Sequence, residues 1–185
     1  MGLFDFLTGK KKELEGPDPL HDLTLAKMKV GYLVDYDLKT WQVTERHRYD
    51  YDGDRSDEWE LTAGSEVCYL ERTEDDEVEW ALSRKMPIGA IDGDVRRHII
   101  DHDDPPAKIV YRGTTYYLEA SGPAYFYKDG KGSAEGFVYW EFIDEDDENF
   151  VNIEQWGETE FEASAGRWVE EYQFSHILPG GPSAP

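Results

Sequence analysis

The sequence predicts an all-β fold: two repeated antiparallel β-meanders packed as a pseudo-twofold sandwich or barrel, with at most one or two short helices. Three observations predict it. Short runs rich in Val, Ile, Thr, Tyr and Trp are separated by Gly and Asp, as strands are by turns. Several runs, among them residues 41–44 and 78–82, alternate apolar and polar side chains with the period of an antiparallel sheet. The third observation is an internal repeat. Helical patterns are confined to residues 93–101 and 20–28, which is why at most one or two short helices are expected.

The internal repeat pairs segments of the two halves of the chain in the same order. Tyr36 and its turn match Tyr111, an Asp-Gly hairpin signal follows in both halves, and Trp59 then matches Trp140. One meander alone would leave its apolar face open to water, so we expect the two meanders to pack face to face or to close into one barrel. The chain then divides into a leader and linker (residues 1–22), a duplicated β domain (23–177, with repeat one at about 30–84 and repeat two at about 107–165) and a disordered tail (178–185).

The charge balance limits the classes of partner. The chain has 41 acidic against 19 basic residues and a net charge of −22, which repels nucleic-acid phosphates, so we expect no nucleic-acid partner. The acids are spread along the chain, which favours a solvated surface over an acidic decoy that mimics nucleic acid. The one cysteine, Cys68, lies in an apolar run and is interpreted as a packed thiol in a cytoplasmic protein.

The N-terminal leader has a membrane-seeking pattern. Four large apolar side chains precede three consecutive lysines, a combination that suits a short helix lying on an anionic bilayer. So small an apolar face gives weak attachment, at about 1.5–3 kcal/mol for each buried Leu or Phe before the cost of ordering. The residues predicted to contact a membrane or a partner are Leu3, Phe4, Phe6, Leu7, Lys10, Lys11 and Lys12.

Asp50, Asp52 and Asp54 have the spacing of the first three ligands of a calcium loop. That loop also needs Gly at its sixth position and Glu at its twelfth, where this chain has Arg55 and Leu61. The stretch coincides with a hairpin signal, so we interpret it as a solvated hairpin tip rather than a metal site.

Two further clusters carry groups that bind metals or basic partners. His98 and His102 are four residues apart, as two zinc ligands on one helix would be. Ile99 replaces the Glu that a zinc hydrolase motif places after its first His, so a surface helix end is favoured and metal binding is the alternative. Five consecutive acids at residues 144–148 lie between two strand patterns, which indicates a hairpin loop that solubilises the protein or meets a cation or basic partner.

Residues 29–36 (KVGYLVDY) and 40–43 (TWQV) resemble the opening of the bacterial family known as domain of unknown function 4178. Residues 116–119 and 153–157 resemble later parts of that family, and the resemblance covers roughly residues 25–176. Its motifs are aromatic and turn residues, and it brings no catalytic residues with it. Members are often encoded near phage-shock-protein-A-like membrane-remodelling proteins and small membrane proteins, so the resemblance implies a link to membrane stress or envelope maintenance.

The sequence identifies no catalytic, cofactor-binding or metal-ligating residue. The serines lack a nucleophile-elbow context, and no phosphate-binding glycine loop occurs. We therefore expect a non-enzymatic binding or adaptor module without a cofactor. It is expected to be cytoplasmic and in weak peripheral contact with the inner face of a membrane, with a phage-shock-protein-A-like or small membrane protein as partner. The alternatives are a metal-dependent enzyme and the acidic decoy. Four tryptophans fall on strand positions of the predicted core, whereas Trp156 and Trp168 are candidates for a binding surface.

Overall fold

The computed structural model of the protein describes residues 23–74 and 77–180. It contains eleven strands: β1 (Leu33–Tyr36), β2 (Lys39–Tyr51), β3 (Asp54–Ala63), β4 (Glu66–Glu74), β5 (Val78–Met86), β6 (Lys108–Tyr111), β7 (Thr114–Tyr127), β8 (Glu135–Asp144), β9 (Asn149–Gln155), β10 (Phe161–Val169) and β11 (Ser175–Leu178). They form one antiparallel sheet in the order β11-β1-β2-β3-β4-β5-β10-β9-β8-β7-β6. The antiparallel, mostly β class predicted from the sequence is confirmed.

Helix is scarce in the described part of the chain. The one α-helix, α1 (Val95–His102), lies within a residue of the predicted segment. Asp94 caps its start, where the carboxylate accepts a hydrogen bond from the Arg97 backbone N–H at 3.4 Å, and Asp103 in a left-handed conformation ends it. The remaining helical elements are 3-10 turns at Leu25–Lys27, Ile88–Ala90, Lys128–Gly130 and Glu171–Gln173.

The sheet curls into a partial ring. Eight strands, β2 to β5 and β7 to β10, follow one another around it, and β2 then pairs with β7 through three residue pairs centred on Tyr49 and Phe126. The other half of β2 turns away from β7 and pairs with β1 instead. A β-bulge between Val43 and Glu45 separates these two halves, and β-bulges bend the strand that contains them. The corresponding second strand of the other half, β7, also has a bulge, between Leu118 and Ala120.

Two apolar clusters lie on the outer face of the ring. One contains Trp41, Trp59 and Leu70, all buried, and is covered by the first 3-10 turn and by β11. The other contains Trp140 and Phe142 and is covered by α1. Of the two predicted arrangements, the ring corresponds to closure rather than to face-to-face packing, and each apolar face is covered by its own flanking segment. The reason is that both faces turn outward when the sheet curls with its polar face inside.

The predicted domain boundaries fall partly outside the described residues. The leader and linker lie outside them, as do residues 181–185 of the predicted tail, whereas β11 takes in Leu178, the first residue of that tail. Each half of the ring is a meander, but the internal duplication stays a prediction, which superposition of Trp41 on Tyr116 and of Trp59 on Trp140 would test. Across the described residues, no helix has the length and apolar character to span a bilayer.

Candidate functional site

The polar face of the ring strands points into the ring. Because side chains alternate along a strand, the neighbours of the outward-facing core tryptophans point inward. Glu58 lies beside Trp59 in β3, and Glu141 lies beside Trp140 in β8. The alternation that the sequence displays is therefore real, and its polar side faces the inside of the ring.

A cavity of about 240 Å³ occupies this space, and all eight ring strands contribute to its wall. A cavity of that size holds much more than a single water molecule, which needs roughly 10–15 Å³. Two aromatic pairs form part of the wall: the rings of Tyr51 and Tyr139 have centroids 5.0 Å apart, and those of Phe150 and Trp168 are also 5.0 Å apart, edge to face. The acidic residues that line the cavity are Asp54, Glu71, Glu79, Glu141 and Glu154.

Acids also face acids directly across strands inside the ring. Glu58 is the register partner of Glu71, and Glu154 is the register partner of Glu162. Like charges placed directly opposite one another destabilise a sheet. A second, smaller cavity lies next to Glu58. Among the residues that line the two cavities, Lys85 is the one with a basic side chain, and its Nζ lies 2.5 Å from Glu162 Oε2. Carboxylates therefore dominate the charge of the interior.

Burial and the charges of neighbouring carboxylates raise the pKa values of three of these carboxyl groups, those of Glu58, Glu141 and Glu154. Burial, followed by the charge of Glu71, raises the pKa of Glu141 from 4.5 to about 7. Burial and the charge of Glu162 raise the pKa of Glu154 to about 7. The pKa of Glu58 is raised well above its usual range by burial and then by Glu71. At neutral pH the interior therefore holds carboxyl groups that are partly protonated.

Local hydrogen bonds hold several of these groups in place. Ser56 Oγ donates to Glu71, Tyr49 OH donates to Glu58 at 3.4 Å, and Trp156 Nε1 donates to Glu154 Oε2 at 3.1 Å. One acceptor is left over: Asn152 Oδ1, on the cavity wall, is buried and accepts no hydrogen bond within the described residues. An orphan buried acceptor is uncommon and costs about 1–3 kcal/mol.

The residues predicted from calcium-like spacing belong to the β2–β3 hairpin. Asp50 Oδ1 accepts a hydrogen bond from the Gly53 backbone N–H at 2.7 Å, and Asp52 takes a positive φ of 58°. These contacts are those of a hairpin tip. Asp54 differs from the other two because it lines the cavity. The predicted leader contacts, from Leu3 to Lys12, lie outside the described residues.

The two other predicted clusters occur on the surface and at a turn. The rings of His98 and His102 stack with centroids 4.3 Å apart, and His102 is exposed. Asp144 is buried and accepts hydrogen bonds from the backbone N–H groups of Glu148 (2.9 Å) and Asn149 (3.0 Å), so it organises the acidic turn instead of projecting from it. Within the described ranges, no group of three or more His, Cys, Asp or Glu is placed to hold a metal ion.

The structure brings one predicted surface residue into the cavity and adds residues that the sequence analysis did not single out. Trp168 lines the cavity, while Trp156 stacks on Phe137 with centroids 4.4 Å apart. The missed residues share a signal that is visible in the sequence, namely a carboxyl, amide or phenol group next to a core position on a ring strand. They are Glu58, Glu71, Glu141, Glu154, Tyr51, Tyr139 and Asn152.

Comparison with known proteins gives a family without an assigned activity. The model of the family described as "Domain of unknown function (DUF4178)" matches residues 29–171. An uncharacterised protein of Aquifex aeolicus is 28% identical over 169 residues, which cover 91% of this chain and 93% of that protein. No solved structure matches the chain.

Proposed function

The chain belongs to the DUF4178 family, and we propose that it is a non-enzymatic binding module whose strand ring holds a small organic cation of the alkylammonium class. The observation that supports this proposal is the cavity itself, with carboxyl groups from both halves of the sheet, aromatic walls and an orphan acceptor. A module that only binds also accords with a sequence that lacks a recognisable nucleophile or phosphate-binding loop.

Electrostatics favour a cation over a neutral or anionic ligand. Glu71, Glu141 and Glu154 line the same cavity, and no basic residue lines it. In the absence of a positive charge, ionising these groups is opposed by burial and by their neighbours. An ammonium group offsets that repulsion and supplies up to three N–H donors, one of which fits Asn152 Oδ1.

The walls favour an organic cation. Tyr51, Tyr139 and Trp168 present ring surfaces to the cavity, and aromatic faces attract ammonium groups by about 0.5–2 kcal/mol. The volume of about 240 Å³ is slightly below the range typical of drug-sized ligands, so it suits a ligand of several carbon atoms. A short alkyl chain between ammonium groups would contact the aromatic rings while its ends reach carboxylates on different strands.

Titration calorimetry at pH 8 tests the proposal with 1,4-diaminobutane as the probe. We expect saturable binding of the diamine and none of 1,4-butanediol, which has the same carbon chain and no charge. Glu154→Gln should weaken diamine binding about tenfold or more, because a hydrogen bond to a charged group contributes roughly 1.5–3 kcal/mol. Glu145→Gln, an equal charge change on the exposed β8–β9 turn, should leave binding unchanged.

Three outcomes would contradict the proposal. Equal binding of diol and diamine would show that charge does not matter, and equal effects of Glu154→Gln and Glu145→Gln would place the ligand outside the ring. Calcium binding that Glu154→Gln abolishes, with no diamine binding, would favour the metal-dependent alternative. The non-enzymatic part has its own test: proton NMR should show the diamine chemically unchanged after overnight incubation with the protein.

A second candidate function is an adaptor role at the inner face of a membrane, with a phage-shock-protein-A-like or small membrane protein as partner. It is favoured by the leader, where Leu3, Phe4 and Phe6 precede the three lysines at residues 10–12. We expect the full-length chain to co-sediment weakly with anionic liposomes and a chain lacking residues 1–12 to stay in solution. Equal sedimentation of the two forms would remove the leader from this role.

A further inference from the structure

A second concave surface lies on the outer face of the ring, away from the cavity inside it. This groove has a volume of about 820 Å³ and runs along the line where β5 pairs with β10. The tips of the β1–β2 and β6–β7 hairpins flank it, so Tyr36 of one apolar cluster and Tyr111 of the other face it from opposite sides. Ala165 contributes a small side chain to its lining.

Three arginines converge on this groove: Arg84, Arg112 and Arg167. Arg84 is the register partner of Ala165, and Arg167 is the partner of Leu82, so the two arginines are diagonal neighbours on one face of the sheet. Diagonal neighbours have their backbones about 7–8 Å apart, within reach of a common ligand for side chains of this length. Arg112 joins them from the β6–β7 hairpin, and all three are exposed.

Two of the three arginines lack a carboxylate partner. Arg167 Nη2 donates to the Tyr36 hydroxyl at 2.6 Å, and the Arg112 guanidinium lies over the ring of Tyr111 at 5.2 Å. Within the described residues neither guanidinium has a carboxylate within 4.0 Å. By contrast, Arg84 lies 3.5 Å from Glu66. In a chain with 41 acids and 19 bases, two guanidiniums that line one groove without a carboxylate partner among the described residues are available to another anion.

We infer that this groove binds a small organic phosphate. Guanidinium groups bind phosphate oxygens in a bidentate fashion, and Arg167 of β10 and Arg112 of the β6–β7 turn together offer two such groups to one groove. Tyr36 already orients Arg167, and Tyr111 orients Arg112, which lowers the entropy lost when a phosphate binds. Tyr116 and Met86 also line the groove and offer apolar surface to the organic part of the ligand. Asp37 is the one acid of the lining, and it keeps the site from being uniformly positive.

NMR titration with phenyl phosphate tests this inference, with benzyl alcohol as the neutral aromatic control and inorganic phosphate as the control without an organic part. We expect phenyl phosphate to bind more tightly than inorganic phosphate, and benzyl alcohol not to bind. Arg112→Gln and Arg167→Gln should each lower the affinity for phenyl phosphate about tenfold or more. The matched control is Arg55→Gln, the same charge change at the β2–β3 hairpin.

Each contrary result overturns a stated part of the inference. Binding of benzyl alcohol as tightly as phenyl phosphate would exclude a phosphate site, and equal affinity for inorganic phosphate would exclude a role for the organic part. Equal effects of Arg55→Gln and Arg167→Gln would show that only the net charge matters. Arg112 lies on an exposed turn, so Arg112→Gln keeps the test valid even if the loss of the Arg167–Tyr36 hydrogen bond disturbs folding.

Discussion

Replacing Glu141 with Gln should stabilise the protein at alkaline pH and have little effect at acid pH. Glu141 projects into the ring from β8 and is half-buried. Burial, then the charges of Glu71, Glu79 and Glu119, raise its pKa from 4.5 to about 7. Gln has almost the same shape and no charge, so the substitution removes the cost of ionisation while it preserves packing.

The size of the effect follows from linkage between ionisation and folding. A carboxyl group whose folded pKa is raised stabilises the fold below its unfolded pKa, and that stabilisation is lost as the pH rises through the folded pKa. For Glu141 the window runs from about pH 4.5 to about pH 7. At about 1.36 kcal/mol per pKa unit, ionisation of Glu141 costs the wild-type protein about 3 kcal/mol across this window, and the Gln variant lacks this contribution.

Urea denaturation followed by tryptophan fluorescence at pH 4.5 and pH 8 measures this difference. We expect Glu141→Gln to raise the free energy of unfolding by about 3 kcal/mol at pH 8 and by a small fraction of that at pH 4.5. Glu145→Gln is the control, because it makes the same change in net charge on an exposed turn and should have little effect at either pH. An equal gain for both variants at pH 8 would refute the reasoning, since the net charge of the surface would then explain the effect.

Three other predictions concern packing and reactivity. Trp59→Ala should lower the free energy of unfolding by about 3–5 kcal/mol in urea, because the indole is fully buried and donates to the Met28 carbonyl; a loss under 1 kcal/mol would contradict this packing. Gly166→Ala should cost about 1–3 kcal/mol, because the new methyl group would lie 2.4 Å from the Phe150 ring and 2.6 Å from the Leu82 carbonyl oxygen; unchanged thermal unfolding would contradict this close packing between β5, β9 and β10. Cys68 should react with a thiol reagent at pH 8 only in denaturant, because burial raises its pKa to about 12; fast labelling of the folded protein would place the thiol at the surface.

The individual strands and turns of the fold follow from local sequence, whereas the pairing of β2 with β7 that closes the ring does not. The Asp-Gly turn at residues 52–53 and the alternation on either side of it predict the β2–β3 hairpin, because both signals act over a few residues. The contact between β2 and β7 joins Tyr49 to Phe126, which are far apart in the chain and carry no pattern that identifies them as partners. Topology of this kind depends on the twist and bulges of the whole sheet.

The residues of the candidate site can be found in the sequence, but the alternating pattern predicts that they face solvent, whereas they face the inside of the ring. Glu71 and Glu154 occur in matched segments of the two halves, and a polar residue beside a core residue is normally interpreted as solvent-exposed. Their inward direction depends on which face the curled sheet encloses. That choice follows from the flanking segments: α1 and the first 3-10 turn cover the apolar face from outside and leave the polar face to line the ring. An alternating pattern shows that the two faces of a sheet differ in polarity. Only the curvature of the whole sheet decides which of the two faces lies inside the ring.

Since three residue pairs join β2 to β7, separating these two strands would expose the interior while every other strand pair stays intact. Backbone hydrogen bonds contribute about 0.5–1.5 kcal/mol each, and the buried cluster of Tyr49, Ala124 and Phe137 and the hydrogen bond from the Asp129 backbone N–H to His47 Nδ1, at 3.3 Å, also join the two sides. Opening this junction breaks fewer contacts than unfolding the domain does. A substitution at Phe126 would loosen this junction while the binding groups stay the same, and it tests whether opening at this place speeds the exchange of a molecule held inside.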